Sequence, residues 1–196
     1  MKGYEEMEKD KFEIKSKKMV KGMPLFHLAK NARGFFAIGL KAKGIFTLGL
    51  ISQGIIPMGL LCIGVIPIGF LSIGILPLGI FAIGLLAFGT LALGILAAGS
   101  IAAGIFSFGA ISAGIVSFGA ISVGEFAMGA LSYGHYFAYG DHAQAMFAFG
   151  ESEAVGSVFE CLIFEDAYDK SEVFAKMYDE VPVIYHWIVD IIKKYM

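Results

Sequence analysis

The chain reads as a mainly β protein: a right-handed quadrilateral β-helix (a solenoid) of five-residue glycine-containing repeats, with short α-helical caps at its N- and C-terminal ends. Three observations predict it. Glycine recurs at every fifth position from Gly34 to Gly134 without omission, making twenty consecutive units. Counting glycine as the first residue of a unit, the third is Leu, Ile, Phe or Val throughout, except at Lys41. The fourth is small or proline, as in Ala37, Ser52, Pro57, Cys62, Pro67, Ser72, Pro77 and Ser107.

Period five suits neither common element. On an α-helix five residues advance the direction by roughly 140° beyond a full turn, so the glycines would scatter around the axis. Each glycine would also cost about 1 kcal/mol relative to alanine there. A flat strand has period two, so an odd repeat would flip glycine from face to face. A chain that turns a corner every five residues removes the conflict: each unit is a side, and four sides make a coil of about 20 residues whose equivalent positions stack.

Over residues 34–134, about half the chain, this pattern resembles the pentapeptide-repeat family of square β-helices. The resemblance implies that the small residue and the central apolar residue point inward. Here these are Gly54, Gly59, Gly64 and Gly69 with Ile56, Leu61, Ile66 and Leu71. It also places Pro57, Pro67 and Pro77 at the second residue of corner turns, where a fixed φ and a missing N–H are tolerated. Family members that mimic DNA carry acidic outer faces. Here Ile, Leu, Phe, Met and Ala replace polar residues outside, so no gyrase inhibition and no nucleic-acid partner is expected.

Composition says where such a surface belongs. The chain is 57% hydrophobic and 16% charged, against roughly 45–50% and 25% in soluble domains, and its mean hydropathy is +0.74. Up to Lys43 there are eleven Lys/Arg against five Asp/Glu; from Gln53 to Val123 there is no charge; from Glu125 onward twelve Asp/Glu face four lysines. The expected division is a basic cap over 1–33, an apolar β-helix over 34–150 and an acidic segment with amphipathic helices over 151–196. Monomeric soluble proteins rarely expose apolar patches beyond a few hundred Å², so membrane lipid is the expected neighbour. Five to six coils at roughly 4.8 Å each would stand about 24–29 Å tall, near the ~30 Å hydrocarbon thickness. Tyr133, Tyr136 and Tyr139 fall where an interfacial aromatic belt would sit, and the basic head is expected on the cytoplasmic side. Smaller outward residues, Ser100, Ala103, Ala110, Ala113 and Ala120 together with Ala102, Ser112, Ser122, Ala130 and Ser132, mark two faces for packing against other protomers in a homo-oligomer or against the chain's own terminal helices. A polytopic helical transporter or channel, and a self-assembling or lipid-binding solenoid with its apolar faces buried between copies, are the alternatives.

Toward the ends the rhythm changes. After Gly134 the five-residue step slips, with Tyr139 at the expected glycine site and Gly140 and Gly150 following. Asp169 and Glu172 form a capping box for a helix over about 170–180. Pro182 opens a second helix, whose Val183, Ile184, Trp187, Ile188, Ile191, Ile192 and Tyr195 make an apolar stripe closed by Lys193 and Lys194. That helix is expected to cover the β-helix rather than lie in a membrane interface, and residues 4–32 to supply a short helix and cap. The N-terminus lacks the apolar run of a cleavable leader. Cys62 and Cys161 suggest neither a disulfide nor a zinc site, and Cys62 is expected outward. No nucleotide loop, metal spacing or nucleophile motif appears, so no enzyme, metal or cofactor is expected. Glu125, His135, Asp141 and His142 form the one polar concentration near the repeat, with Glu125 and His135 half a coil apart on opposite sides. His27 and His186 have no partners at suggestive spacing.

Overall fold

A computed structural model describes residues 14–15, 19–20, 23–162 and 170–195. The chain divides into two compact units, residues 1–105 and 106–196. In the first, β1 (Ile14–Lys15) pairs antiparallel with β4 (Phe26–Leu28), and β2 (Met19–Val20) with β3 (Met23–Pro24). The described residues within 4–32 form short strands with bends and a turn between them; the rest of that expected cap, like Asp169 of the capping box, lies outside the described residues. Then come β5 (Asn31–Gly64), β6 (Ile68–Gly74) and β7 (Leu78–Met128), followed by β8 (Leu131–Leu162), α1 (Lys170–Glu180), a 3-10 turn (Val183–Tyr185) and α2 (His186–Tyr195).

Strands of 34 and 51 residues far exceed the usual 3–10 because the extended backbone winds back beside itself. Register gives the winding. Phe26 pairs with Phe36, Gly59 with Gly69, Leu61 with Leu71 and Gly74 with Gly84, all parallel and all ten residues apart. Successive turns are tied by backbone bonds such as Ile66 N–H to Ile55 O and Leu86 N–H to Ile75 O, each 2.9 Å. The fold is thus the expected parallel β-solenoid, but a turn holds two five-residue units and not four.

This halved circumference reverses the expected interior. Two walls that close cannot house Leu-sized side chains, so Ile56, Leu61, Ile66 and Leu71 lie half-buried on the flanks. The fully buried positions are one residue later: Pro57, Cys62, Pro67, Ser72 and Pro77, then Ala82, Ala87, Ala92 and Ala97. Cys62 accordingly points inward, its thiol donating to Ile68 O at 3.2 Å. The side chains of Pro57, Pro67 and Pro77 are fully buried. Bends at residues 65–66 and 75–76 interrupt the ladder just before Pro67 and Pro77, where β6 and β7 begin anew, whereas β5 runs unbroken through Pro57.

Glycine at the remaining inner position lets consecutive turns approach. A Cβ on Gly64 would lie 2.0 Å from Gly54 O, and one on Gly74 2.0 Å from Gly64 O. Gly59 adds a backbone reason, with φ of +154°.

In the second unit Ile121 pairs with Leu131 and Gly124 with Gly134, then Phe126 with Phe137. One extra residue enters at His135–Tyr136 as a bulge, which is the slip visible after Gly134. Here the third-position column grows into a true core: Val116, Phe126, Phe137 and Phe147 are buried beneath Val173, Phe174 and Met177 of α1 and Ile188, Val189 and Ile192 of α2. α1 spans the expected 170–180, and α2 covers the solenoid of its own unit as expected. The stripe is divided, however. Val183, Ile184, Trp187, Ile191 and Tyr195 remain exposed, while Val189, outside the expected stripe, is buried.

Candidate functional site

Two surfaces carry functional interest. The first is the outer wall of the first unit. With the interior filled by Gly, Ala, Ser and Pro, the bulky apolar side chains have only the outside. Leu50, Leu60, Phe70 and Ile80 recur at ten-residue intervals, as do Ile55, Val65, Ile75, Leu85 and Ile95, and all are exposed. Side chains in such columns sit in register: the rings of Phe36 and Phe46 stack at 5.2 Å and 13°. No charged residue occurs from Gly44 to Ile105.

Small residues expected for self-association fall in both units, Ser100 and Ala103 in the first and Ala110, Ala113 and Ala120 in the second. Ser100, Ala110, Ala113 and Ala120 are exposed and Ala103 half-buried. In the second unit Ala110 and Ala120 lie beside exposed Ile111 and Ile121. Ala102, Ser112, Ser122 and Ser132 belong to no such face; they point into the coil and are fully buried.

The second surface is polar and lies where the five-residue rhythm ends. Glu125 and His135 are in adjacent turns, not on opposite sides, because a turn is ten residues. The bulge sets Glu125 opposite His135 and Tyr136. His135 packs edge-on to the Tyr136 ring at 4.6 Å, and one carboxylate oxygen of Glu125 is buried with no hydrogen-bond partner among the described residues. Asp141 and His142 do not join them. Each reaches forward eleven residues: Ser152 Oγ donates to Asp141 Oδ1 at 3.1 Å, and the His142 imidazole donates from Nδ1 to Glu153 Oε2 at 3.1 Å. Beside this pair is an open cavity of about 270 Å³ lined by Leu131, Tyr133, His142, Ala143, Gln144 and Glu153.

Sequence reasoning missed Gln144 and Glu153. The signal was present: once the slip after Gly134 is taken as a new eleven-residue turn, 131–142–153 and 133–144 become columns. The expected tyrosine belt is also divided, with Tyr133 exposed but Tyr136 and Tyr139 packed against the helix-covered core.

The other titratable candidates serve the fold. His27 is buried and its Nδ1 accepts Arg33 N–H at 2.9 Å. His186 Nε2 lies 3.0 Å from Val181 O. Among the described residues no three His, Cys, Asp or Glu side chains converge to hold a metal ion.

No protein-family model, no curated protein and no solved structure matches the chain. What the fold defines is a parallel β-solenoid with two C-terminal helices. The five-residue rhythm is present in it as two units to each ten-residue turn.

Proposed function

We propose that the protein is a non-enzymatic integral membrane protein whose solenoid embeds in the bilayer, N-terminus to the cytoplasm, and self-associates through its small-residue positions in a scaffold or pore-assembly role. One observation carries this reading: the outer wall of the first unit presents columns of exposed Ile, Leu and Phe and no charge over residues 44–105. At ten residues per turn those residues make about six turns, or ~29 Å at the spacing of neighbouring strands, which suits a hydrocarbon layer of ~30 Å. The backbone bonds that link turns run between neighbouring coils, so the lateral walls carry no open strand edge, the condition lipid imposes. Small side chains fill the interior, which leaves conduction, in a pore assembly, to the space between protomers.

The helical alternative has no element to support it, since no helix among the described residues is long and apolar enough to cross a membrane. A second reading, a self-assembling module with its apolar walls buried between copies, draws on exposed Ala110, Ala113 and Ala120 beside Ile111 and Ile121.

Carbonate washing of membranes from expressing cells tests the proposal. The protein is expected to stay in the pellet; recovery in the supernatant would refute embedding and leave the self-assembled module. Ala103→Trp and Ala113→Trp are expected to reduce the size of the detergent-solubilised assembly, and an unchanged size would remove the small-residue packing.

A further inference from the structure

We infer that the cavity between Tyr133 and Glu153 binds a small organic cation, an ammonium group on a compact body. The site is built by three successive turns of the second unit. Leu131 and Tyr133 come from one, His142, Ala143 and Gln144 from the next, and Glu153 from the third. Its volume of about 270 Å³ is several times the ~30 Å³ that one water occupies in the liquid, so it is sized for an organic group. The donor set does not suit a metal, for no three ligating side chains converge among the described residues.

The charge selects the sign of the ligand. Between Lys43 and Lys170 the chain has no Lys or Arg, whereas Glu125, Asp141, Glu151, Glu153 and Glu160 fall in the same stretch. An anion entering the cavity would meet the Glu153 carboxylate with no Lys or Arg from that stretch beside it, only the His142 imidazole that Glu153 already engages. A cation gains the Glu153 carboxylate, and the lining also offers the exposed Tyr133 ring and the Gln144 amide. Aromatic faces attract ammonium groups by about 0.5–2 kcal/mol, most strongly when the cation carries little bound water. The exposed Leu131 side chain supplies apolar surface for the body of the ligand. His142, held by Glu153 at 3.1 Å, orients that carboxylate from one side.

Two sources share this chemistry: a free amine, or the ammonium headgroup of a zwitterionic phospholipid. The inference holds whether or not the first unit is embedded in lipid, because it rests on the cavity alone.

Titrating choline and, separately, inorganic phosphate into the full-length purified protein by calorimetry gives the test. Choline is expected to bind saturably and phosphate not at all. Glu153→Gln and Tyr133→Ala should each weaken choline binding at least tenfold, whereas Tyr133→Phe, which keeps the ring, should stay within threefold. Glu151→Gln, a charge change outside the cavity lining, should also stay within threefold. Repeating the titration in phosphatidylcholine and phosphatidylglycerol nanodiscs separates the sources. Competition by phosphatidylcholine alone assigns the headgroup; equal binding in both assigns the free amine. Absence of choline binding, equal binding of phosphate, or a loss with Glu151→Gln as large as with Glu153→Gln would overturn the site.

Discussion

Each side chain inside the coil has neighbours so close that one added or removed atom is felt. Gly64→Ala would drive a methyl group to 2.0 Å from the carbonyl of Gly54. Relief requires separating two turns, so the loss should reach or exceed the ~3 kcal/mol upper end of ordinary overpacking. Thermal unfolding of the purified variant should show it as a fall in Tm. The interior hydroxyls give a contrast in sign. Ser52 donates to Met58 O at 2.8 Å, so Ser52→Ala should cost about 1 kcal/mol. Ser117 is equally buried, but its hydroxyl has no partner among the described residues. Ser117→Ala should therefore be neutral or stabilising by about 1 kcal/mol. Urea midpoints check both assignments: that of Ser52→Ala is expected to fall, and that of Ser117→Ala to hold or rise.

At the level of elements, α2 and the 3-10 turn before it separate packing from exposure within four residues. Ile188 is buried in the core under the Phe126–Phe137 column, and Ile184 is 73% exposed. Ile188→Ala should cost about 2–4 kcal/mol as a core truncation, and Ile184→Ala less than about 0.5 kcal/mol, by chemical unfolding. The two helices are also tied by a charge-assisted bond. The Tyr178 phenol donates to the Asp190 carboxylate, which holds that phenol above its ordinary value of 10. A phenol raised in the folded state stabilises below the unfolded value and ceases to do so as the pH climbs through the folded one. The tie is thus complete below pH 10 and lost in stronger alkali. Asp190→Asn should flatten that alkaline decline in an unfolding titration followed by circular dichroism.

For the molecule, the decisive question is what touches the outer wall of the first unit. Ile75 is 53% exposed in the middle of the charge-free turns. A lysine there costs about 2–4 kcal/mol if the wall faces the bilayer centre, and stays within about 0.5 kcal/mol if it faces water. Unfolding of Ile75→Lys reconstituted in vesicles is expected to show the larger penalty, and a neutral result would remove lipid from the reading.

Much of this was legible in the chain. A period of five marked by glycine demands a solenoid, because neither helix nor flat sheet repeats that way. The run without charge announces an apolar outer wall, and the Pro182-to-Lys194 pattern announces a helix. The number of sides per turn was not legible. Residues five apart are equivalent whether two or four units close a turn, so local pattern cannot choose between coils of ten and twenty. Only the pairing of Gly59 with Gly69 and Leu61 with Leu71 makes that choice, and everything radial follows from it. A small circumference turns Ala, Ser, Cys and Pro inward and leaves Ile56 and Leu61 at the flanks. The same is true of the polar cavity. Leu131 and His142 come together because the bulge lengthens the turn between them to eleven residues, and Glu153 joins them through its bond to His142, a consequence of stacking that becomes a column in the sequence only once the turn length is known.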